Sequence, residues 1–267
     1  LHELRPRFWD LLGGACAQIN FYLAEREPMG GDRIRTLQHG LTMDLLPHLL
    51  ALLTRFGHVG SIDEITVLEA GQYAPWETGE EGFRNETATR MRFYFEDLSD
   101  NGFRIPCYST VGKGFSRDVK YFEIAGRSGH VLRADFGKRP TDAVEDAYPW
   151  GHLFLARGDA ALDDTRYDVQ EVQDPYDRDR RLRIIRDRAD PSGLVKPRQS
   201  NRYVPLFEQL LGGTVPKQLA GMSLAEAREV VIALDRIWWA IQESRPWRSY
   251  ARGRREPLAI PDAREIE

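Results

Sequence analysis

The stretch "ETATRMRFYFEDLSDNGFRIPCYSTVGKG", residues 86–114, decides the fold. Met91, Phe93 and Phe95 recur at every second position, the period of a strand with one buried face. "DNG" then breaks the pattern as a turn, and "RIPCYSTVGKG" resumes it, so the segment reads as two neighbouring strands. Downstream, "DVKYFEIAG" and "HVLRADFG" continue the run through further Gly-containing turns. Upstream, "ACAQINFYLAE" alternates through Ile19, Phe21 and Leu23, and "SIDEITVLEAGQY" is a further strand. Strands joined by short turns pair antiparallel, so a broad and mainly antiparallel mixed sheet is expected.

Helical spacing appears outside this block. In "TMDLLPHLLALLTRFG", residues 42–57, Leu45, Leu46, Leu49, Leu50, Leu52 and Leu53 repeat as on a largely buried helix. Asp44 and His48 stand at i and i+4, on one side of it. Asp44 reads as an N-cap, with Pro47 tolerated in a first turn and His48 as a core histidine; a pair doing chemistry is the other reading. Two further helices are expected, "LRPRFWDLL" closed by Gly13-Gly14 and "NRYVPLFEQLLGG" with a glycine C-cap, and "EREPMGGDR" is expected as a loop. "SLAEAREVVIALDRIWWAIQES" is a longer amphipathic helix, opened by Ser223 with Glu226 three positions on as a capping box. From about 140 to 197 charges of both signs crowd together, and a loop-rich insert is expected there. Strands in the centre with helices at both ends make an α+β fold, one domain over residues 1–267, with helices packed on one face of the sheet.

Composition narrows the function. The formal net charge of −4 and pI near 6.0 give no support to a nucleic-acid or membrane-surface protein. No apolar run reaches the roughly 18–20 residues of a membrane-spanning helix, and no signal peptide is expected. Cys16 and Cys107 form no metal or redox motif and read as reduced core residues of a cytoplasmic protein. No strand–GxGxxG–helix unit occurs, so no Rossmann domain is expected within this chain. The chain opens at Leu1 without a methionine and is expected to belong to something longer.

Beginning at "GQY" (Gly71 to Tyr73) and running through Glu86-Thr87, "DNGFRIPCY" and Gly112-Lys113, the sequence resembles the C-terminal, substrate-binding domain of glucose-6-phosphate dehydrogenase. "RFWDLLGGACAQINFYLAE", "MDLLPHLLALL", "YVPLFEQLLGG" and "AIQESRPWRSYARGRREP" are similar to further segments of that family, in the same order. The Asp44–His48 spacing is similar to the D-x-x-x-H of the wider Gfo/Idh/MocA oxidoreductases. The resemblance implies that His48 is the general base for hydroxyl oxidation, with Asp44 as its partner or a cap. It also implies that Lys113 and Arg117 hold a sugar phosphate and that Glu25 hydrogen-bonds sugar hydroxyls. NADP or NAD would be bound mainly by a domain outside this chain, and a homodimer or higher homo-oligomer through the exposed sheet face is expected. Leu46-Pro47 and Thr110 depart from the family pattern. Three readings therefore stand: part of a sugar or sugar-phosphate dehydrogenase, a Gfo/Idh/MocA-type enzyme of an unphosphorylated sugar, or a non-catalytic binding or assembly module.

Overall fold

The computed structural model describes residues 11–12, 15–26, 40–54, 56–72, 86–98, 102–113, 115, 117–135, 153–159, 162, 165–177, 179–188, 223–244 and 247–249. Among them are ten strands: β1 Cys16–Glu25, β2 Gly57–Gln72, β3 Ala88–Asp97, β4 Arg104–Lys113, β5 Val119–Gly126, β6 Val131–Asp135, β7 Leu153–Arg157, β8 Tyr167–Gln173, β9 Arg181–Asp187 and β10 Trp247–Ser249. The helices are α1, Leu41–Leu53, and α2, Leu224–Glu243. The strands follow the order β10-β2-β3-β4-β1-β5-β6-β7-β9-β8. β10 runs parallel to β2, whereas β2–β3, β3–β4, β5–β6, β6–β7, β7–β9 and β8–β9 pair antiparallel. This is the expected α+β architecture with a large mixed sheet. The chain divides into two compact units, Asn20–Lys120 with Ala225–Glu267, and Leu1–Ile19 with Tyr121–Leu224.

In the first of these units the β3–β4 hairpin is the centre. Met91, Phe93 and Phe95 are fully buried and face Ser109, Cys107 and Ile105 across the pair. α1 packs on β2, β3 and β4 and buries Thr42, Leu46, Leu49, Leu50 and Leu53 at helical spacing. Thr42 Oγ1 and Thr89 Oγ1, 2.9 Å apart, share a hydrogen bond that ties the helix to β3. β2 bulges early, with register shifts between His58 and Thr66 and Glu64 at φ 44°. A bulge leaves backbone groups unpaired, and α2 takes them up. Arg236 Nη1 donates to the carbonyls of Gly60 (2.9 Å) and Ile62 (2.7 Å), and Glu229 Oε2 accepts from the Gly60 N–H at 3.4 Å. α2 starts directly after Ser223, with Glu226 in its first turn, and buries Val230, Ala233, Ile237 and Ile241.

In the other unit the expected loop-rich insert is corrected: β7, β8 and β9 lie within it. Leu182 and Ile184 alternate with arginines, and they join Val131, Phe154, Ala156 and Val172 in a small core. The charges belong to a hairpin in which Glu171 faces Arg183 and Gln173 faces Arg181. Summed charge hid a period of two. Arg133 is buried here and bonds Asp135 through Nε (2.7 Å) and Nη2 (3.1 Å), and Asp174 through Nη1 (2.8 Å). Its guanidinium lies 4.3 Å from the Tyr121 ring centroid and 4.9 Å from that of Tyr176.

The helix expected over "LRPRFWDLL" is described only at Leu11 and Leu12, which are helical and buried. "NRYVPLFEQLLGG" and all but the first two residues of "EREPMGGDR" lie outside the described residues.

Gly112 shows why glycine stands before Lys113. Its φ is +140°, and a Cβ there would lie 2.3 Å from the Thr87 carbonyl and 2.4 Å from Ala88 Cα. Gly112→Ala is therefore expected to cost about 2–4 kcal/mol, combining backbone strain with displacement of β3. Urea unfolding measures it, and a loss below 0.5 kcal/mol, about what a surface substitution gives, contradicts this account of the turn.

Candidate substrate site at the Lys113 end of the sheet

The site is built where α1, β2, β3 and β4 end together. Thr87 N–H donates to the Gly71 carbonyl (2.9 Å), at the end of β2, and the Thr87 carbonyl accepts from Lys113 N–H (2.8 Å), at the end of β4. One residue earlier, the Glu86 carbonyl accepts from Leu41 N–H (2.8 Å) and its Oε1 from Thr42 N–H (3.1 Å). Glu86 thereby caps α1 from 44 residues away. Gly40, the N-cap residue, has φ +80° and lies so close that a Cβ would meet Glu86 Oε2 at 2.2 Å.

This corrects the reading of Asp44. The helix begins at Leu41, the N-cap Gly40 has no side chain to cap with, and Asp44 lies in the first turn. Pro47 is likewise inside the helix and not in a first turn. It withholds a hydrogen bond from the Met43 carbonyl on a half-buried side. His48 is not a core histidine either: it is exposed, on the side of α1 opposite the fully buried Leu46, Leu49 and Leu53. Asp44 and His48 do share that outer side, as their spacing implies.

Glu25, at the end of β1, meets Lys113. Its Oε2 is 2.5 Å from Lys113 Nζ, while Oε1 bonds Lys120 Nζ, from the start of β5. All three side chains are about 20% exposed, so the cluster is half-sheltered (19% for each lysine, 20% for Glu25). Phe115 N–H donates to the Glu25 carbonyl (3.1 Å), and Asp118 Oδ1 accepts from Arg26 N–H (2.9 Å), pinning the β4–β5 connection to β1. Burial pushes the Glu25 carboxyl up, but hydrogen bonds from Lys113 and Lys120 outweigh it and hold the group below the usual carboxylate range. Arg117 is exposed in the same connection. The structure thus joins Glu25 and Lys113 and adds Lys120, which sequence reading missed. His48 has no hydrogen bond or ion pair to this trio, and among the described residues no His, Cys, Asp and Glu grouping could hold a metal.

Glu86 is the electrostatic exception. Full burial pushes its carboxyl up to about 8, against the weaker lowering by its own backbone and by Thr42. Oε1 accepts from Thr42, and Oε2 has no partner among the described residues. The cap is therefore a neutral acid near pH 7. Its folded-state value lies above the ordinary 4.5, so the native state holds the extra proton between about 4.5 and 8. The stability it contributes is complete below that window and is lost as pH rises through about 8. We expect unfolding free energy to fall between pH 6 and 8.5 by up to about 1.4 kcal/mol per unit, and Glu86→Gln to flatten that slope. Equal slopes in the two proteins, measured by urea midpoints, are the contrary result.

No protein-family model and no curated protein sequence matches this chain. Solved structures do match its fold. Glucose-6-phosphate 1-dehydrogenase from Mycobacterium avium superposes with a TM-score of 0.51 at 13% identity, over 88% of this chain and 51% of that one. A glucose-6-phosphate dehydrogenase in complex with glucose-6-phosphate gives 0.46 at 12% identity, over 94% and 54%. KijD10, a 3-ketoreductase from Actinomadura kijaniata in complex with TDP-benzene and NADP, gives 0.42 at 12% identity, over 97% and 60%. At such identities the common property is the fold, and the first of the three carries it. The chain spans between about half and three fifths of these oxidoreductases (51% to 60%). No described helix is long and apolar enough to cross a membrane.

Proposed function

We propose that this chain is the substrate-binding part of an NAD(P)-dependent oxidoreductase that oxidises a hydroxyl of a sugar or sugar phosphate. The observation that carries this reading is the meeting of Glu25 and Lys113 at the end of the sheet. The resemblance implies a substrate-binding role for both. The fold match to a glucose-6-phosphate 1-dehydrogenase supports it.

The residues divide the work by their chemistry. Lys113 and Arg117 attract the anionic end of the substrate. His48, exposed on α1, accepts the hydroxyl proton as general base. Asp44, one turn before it, supports the imidazolium once formed. The sequence has no Gly-rich dinucleotide fingerprint, so the residues here do not fit a nicotinamide cofactor, and the hydride acceptor belongs to a part outside them. Self-association through the exposed sheet face goes with this reading, as does a reducing cytoplasm, the compartment in which buried cysteines such as Cys16 and Cys107 stay reduced.

The test uses the full-length protein that contains this chain, assayed for nicotinamide reduction with glucose 6-phosphate and with glucose, using NADP and NAD. His48→Asn is expected to lower kcat by about 10²–10⁴ with the melting temperature unchanged, because the ring is exposed and general-base catalysis supplies that factor. A rate within twofold of wild type removes His48 from the mechanism. Absence of turnover with every sugar and cofactor pair overturns the reading itself.

A further inference from the structure

α1 covers one face of β3, where Met91, Phe93 and Phe95 are buried; Arg90, Arg92, Tyr94 and Glu96 alternate with them and point to the other face. Arg104, Pro106 and Tyr108 of β4 share that outer face, opposite Glu96, Tyr94 and Arg92 in the register. The charges on it can be matched one by one. Arg90 Nη1 lies 3.4 Å from Glu69 Oε2, and Arg104 is held by Asp63 and Glu64. Two charges of β3 are left over. Among the described residues Arg92 has neither an ion pair nor a hydrogen bond, and its Nε is shut from solvent with no acceptor. The Glu96 side chain is exposed and forms no ion pair with them either. Taking part of a guanidinium out of water without giving it an acceptor is costly, which marks Arg92 as a group that an anion should complete.

Arg92 and Glu96 stand two residues to either side of Tyr94. Two guanidinium groups lie on the Tyr94 ring, Arg92 Cζ at 5.6 Å and Arg104 Cζ at 5.1 Å from its centroid, and hold it in place. This pattern is its own complement. A two-fold axis running between two such faces, across β3 at Tyr94, sets the strands antiparallel and brings Arg92 of each copy to Glu96 of the other. Packed sheet faces lie about 10 Å apart, within the combined reach of an arginine and a glutamate. An unrelated acidic partner would satisfy Arg92 and repel Glu96, whereas a second copy satisfies both.

We propose that this face is an interface between two copies of the chain, with Tyr94 at its centre and two reciprocal Arg92–Glu96 ion pairs around it. Aromatic and arginine side chains are the common anchors of such a centre, and an isologous contact needs the same patch on both copies. Arg92 adds little new desolvation on pairing, because its Nε is already out of water. The proposal deepens the self-association named in the functional reading, and rests on that reading only for the second copy. α1 lies on the far side of the sheet, so Asp44 and His48 stay open in the pair.

Analytical ultracentrifugation of the 267-residue chain across the micromolar range tests this. The wild-type chain is expected to dimerise. Arg92→Glu and Glu96→Arg each place like charges in both pairs and should weaken the dimer at least about 100-fold. Mixing the two single variants in equal amounts should restore association as a heterodimer, because each supplies the charges the other now needs. The chain carrying both changes should dimerise again by itself. A general loss of fold is not reversed by mixing, so the rescue separates pairing from misfolding. Arg92→Gln and Glu96→Gln, each expected to weaken the dimer, replace the charge reversals if either of those fails to melt cooperatively. A wild-type chain that stays monomeric throughout the range overturns the interface. Folded single variants with wild-type affinity, or a mixture of them that stays monomeric, overturn the Arg92–Glu96 pairing. Turnover of a sugar by the full-length protein is untouched by any of these results, so the interface and the sugar-oxidising reading fail separately.

Discussion

Two consecutive residues hold the site together. Glu86 and Thr87 supply the backbone and side-chain atoms on which the start of α1, the end of β2 and the end of β4 converge. Neither residue belongs to a helix or a strand, and both are buried. Buried polar groups outside regular structure seek partners, and here those partners lie at the ends of three different elements. Three ends are thereby fixed in mutual position by about 1 kcal/mol per hydrogen bond, against a much larger penalty for leaving any one of them unmade. Lys113 sits at the site because its own N–H is one of those partners.

The neutral Glu86 cap follows from the same burial. An ionised carboxylate would interact better with the first turn of α1, where the macrodipole is positive. At full burial, desolvation exceeds that gain, and the proton stays. The helix is therefore capped by an acceptor without a charge. A charge at this depth would be uncompensated, because no cation is among the causes that act on this carboxyl.

The parts legible in the sequence were those with a local cause. The period of two in "TATRMRFYFED" gave β3, whereas the need for glycine at 112, with φ +140° inside β4, has no signature in the sequence. The leucines gave α1, but not its first residue. Sequence rules look for a cap within the adjoining turn, and this one comes from residue 86. β8 and β9 were obscured because their outward positions carry nearly all the charge, which drowned the alternation of Leu182 and Ile184. Lys120 was invisible for another reason. It meets Glu25 only because β1 and β5 are neighbours in the sheet, a fact of topology with no sequence signature. Its alternation within "DVKYFEI" could have shown that it leaves the sheet on the face opposite Val119 and Tyr121, and nothing more.

The exposure of His48 has to be weighed against the burial of its helical neighbours. Of the departures from the resembled pattern, Leu46 is fully buried, Thr110 nearly so and Pro47 half-buried. They alter the packing beneath the helix and leave its outer side to Asp44 and His48. On the proposed role of His48 as base, its exposure is what the chemistry demands. A general base must face the hydroxyl whose proton it takes, so a catalytic ring has to stand open on one side. A sealed histidine could not do so, and the open imidazole above a buried leucine face is the arrangement the proposed role requires.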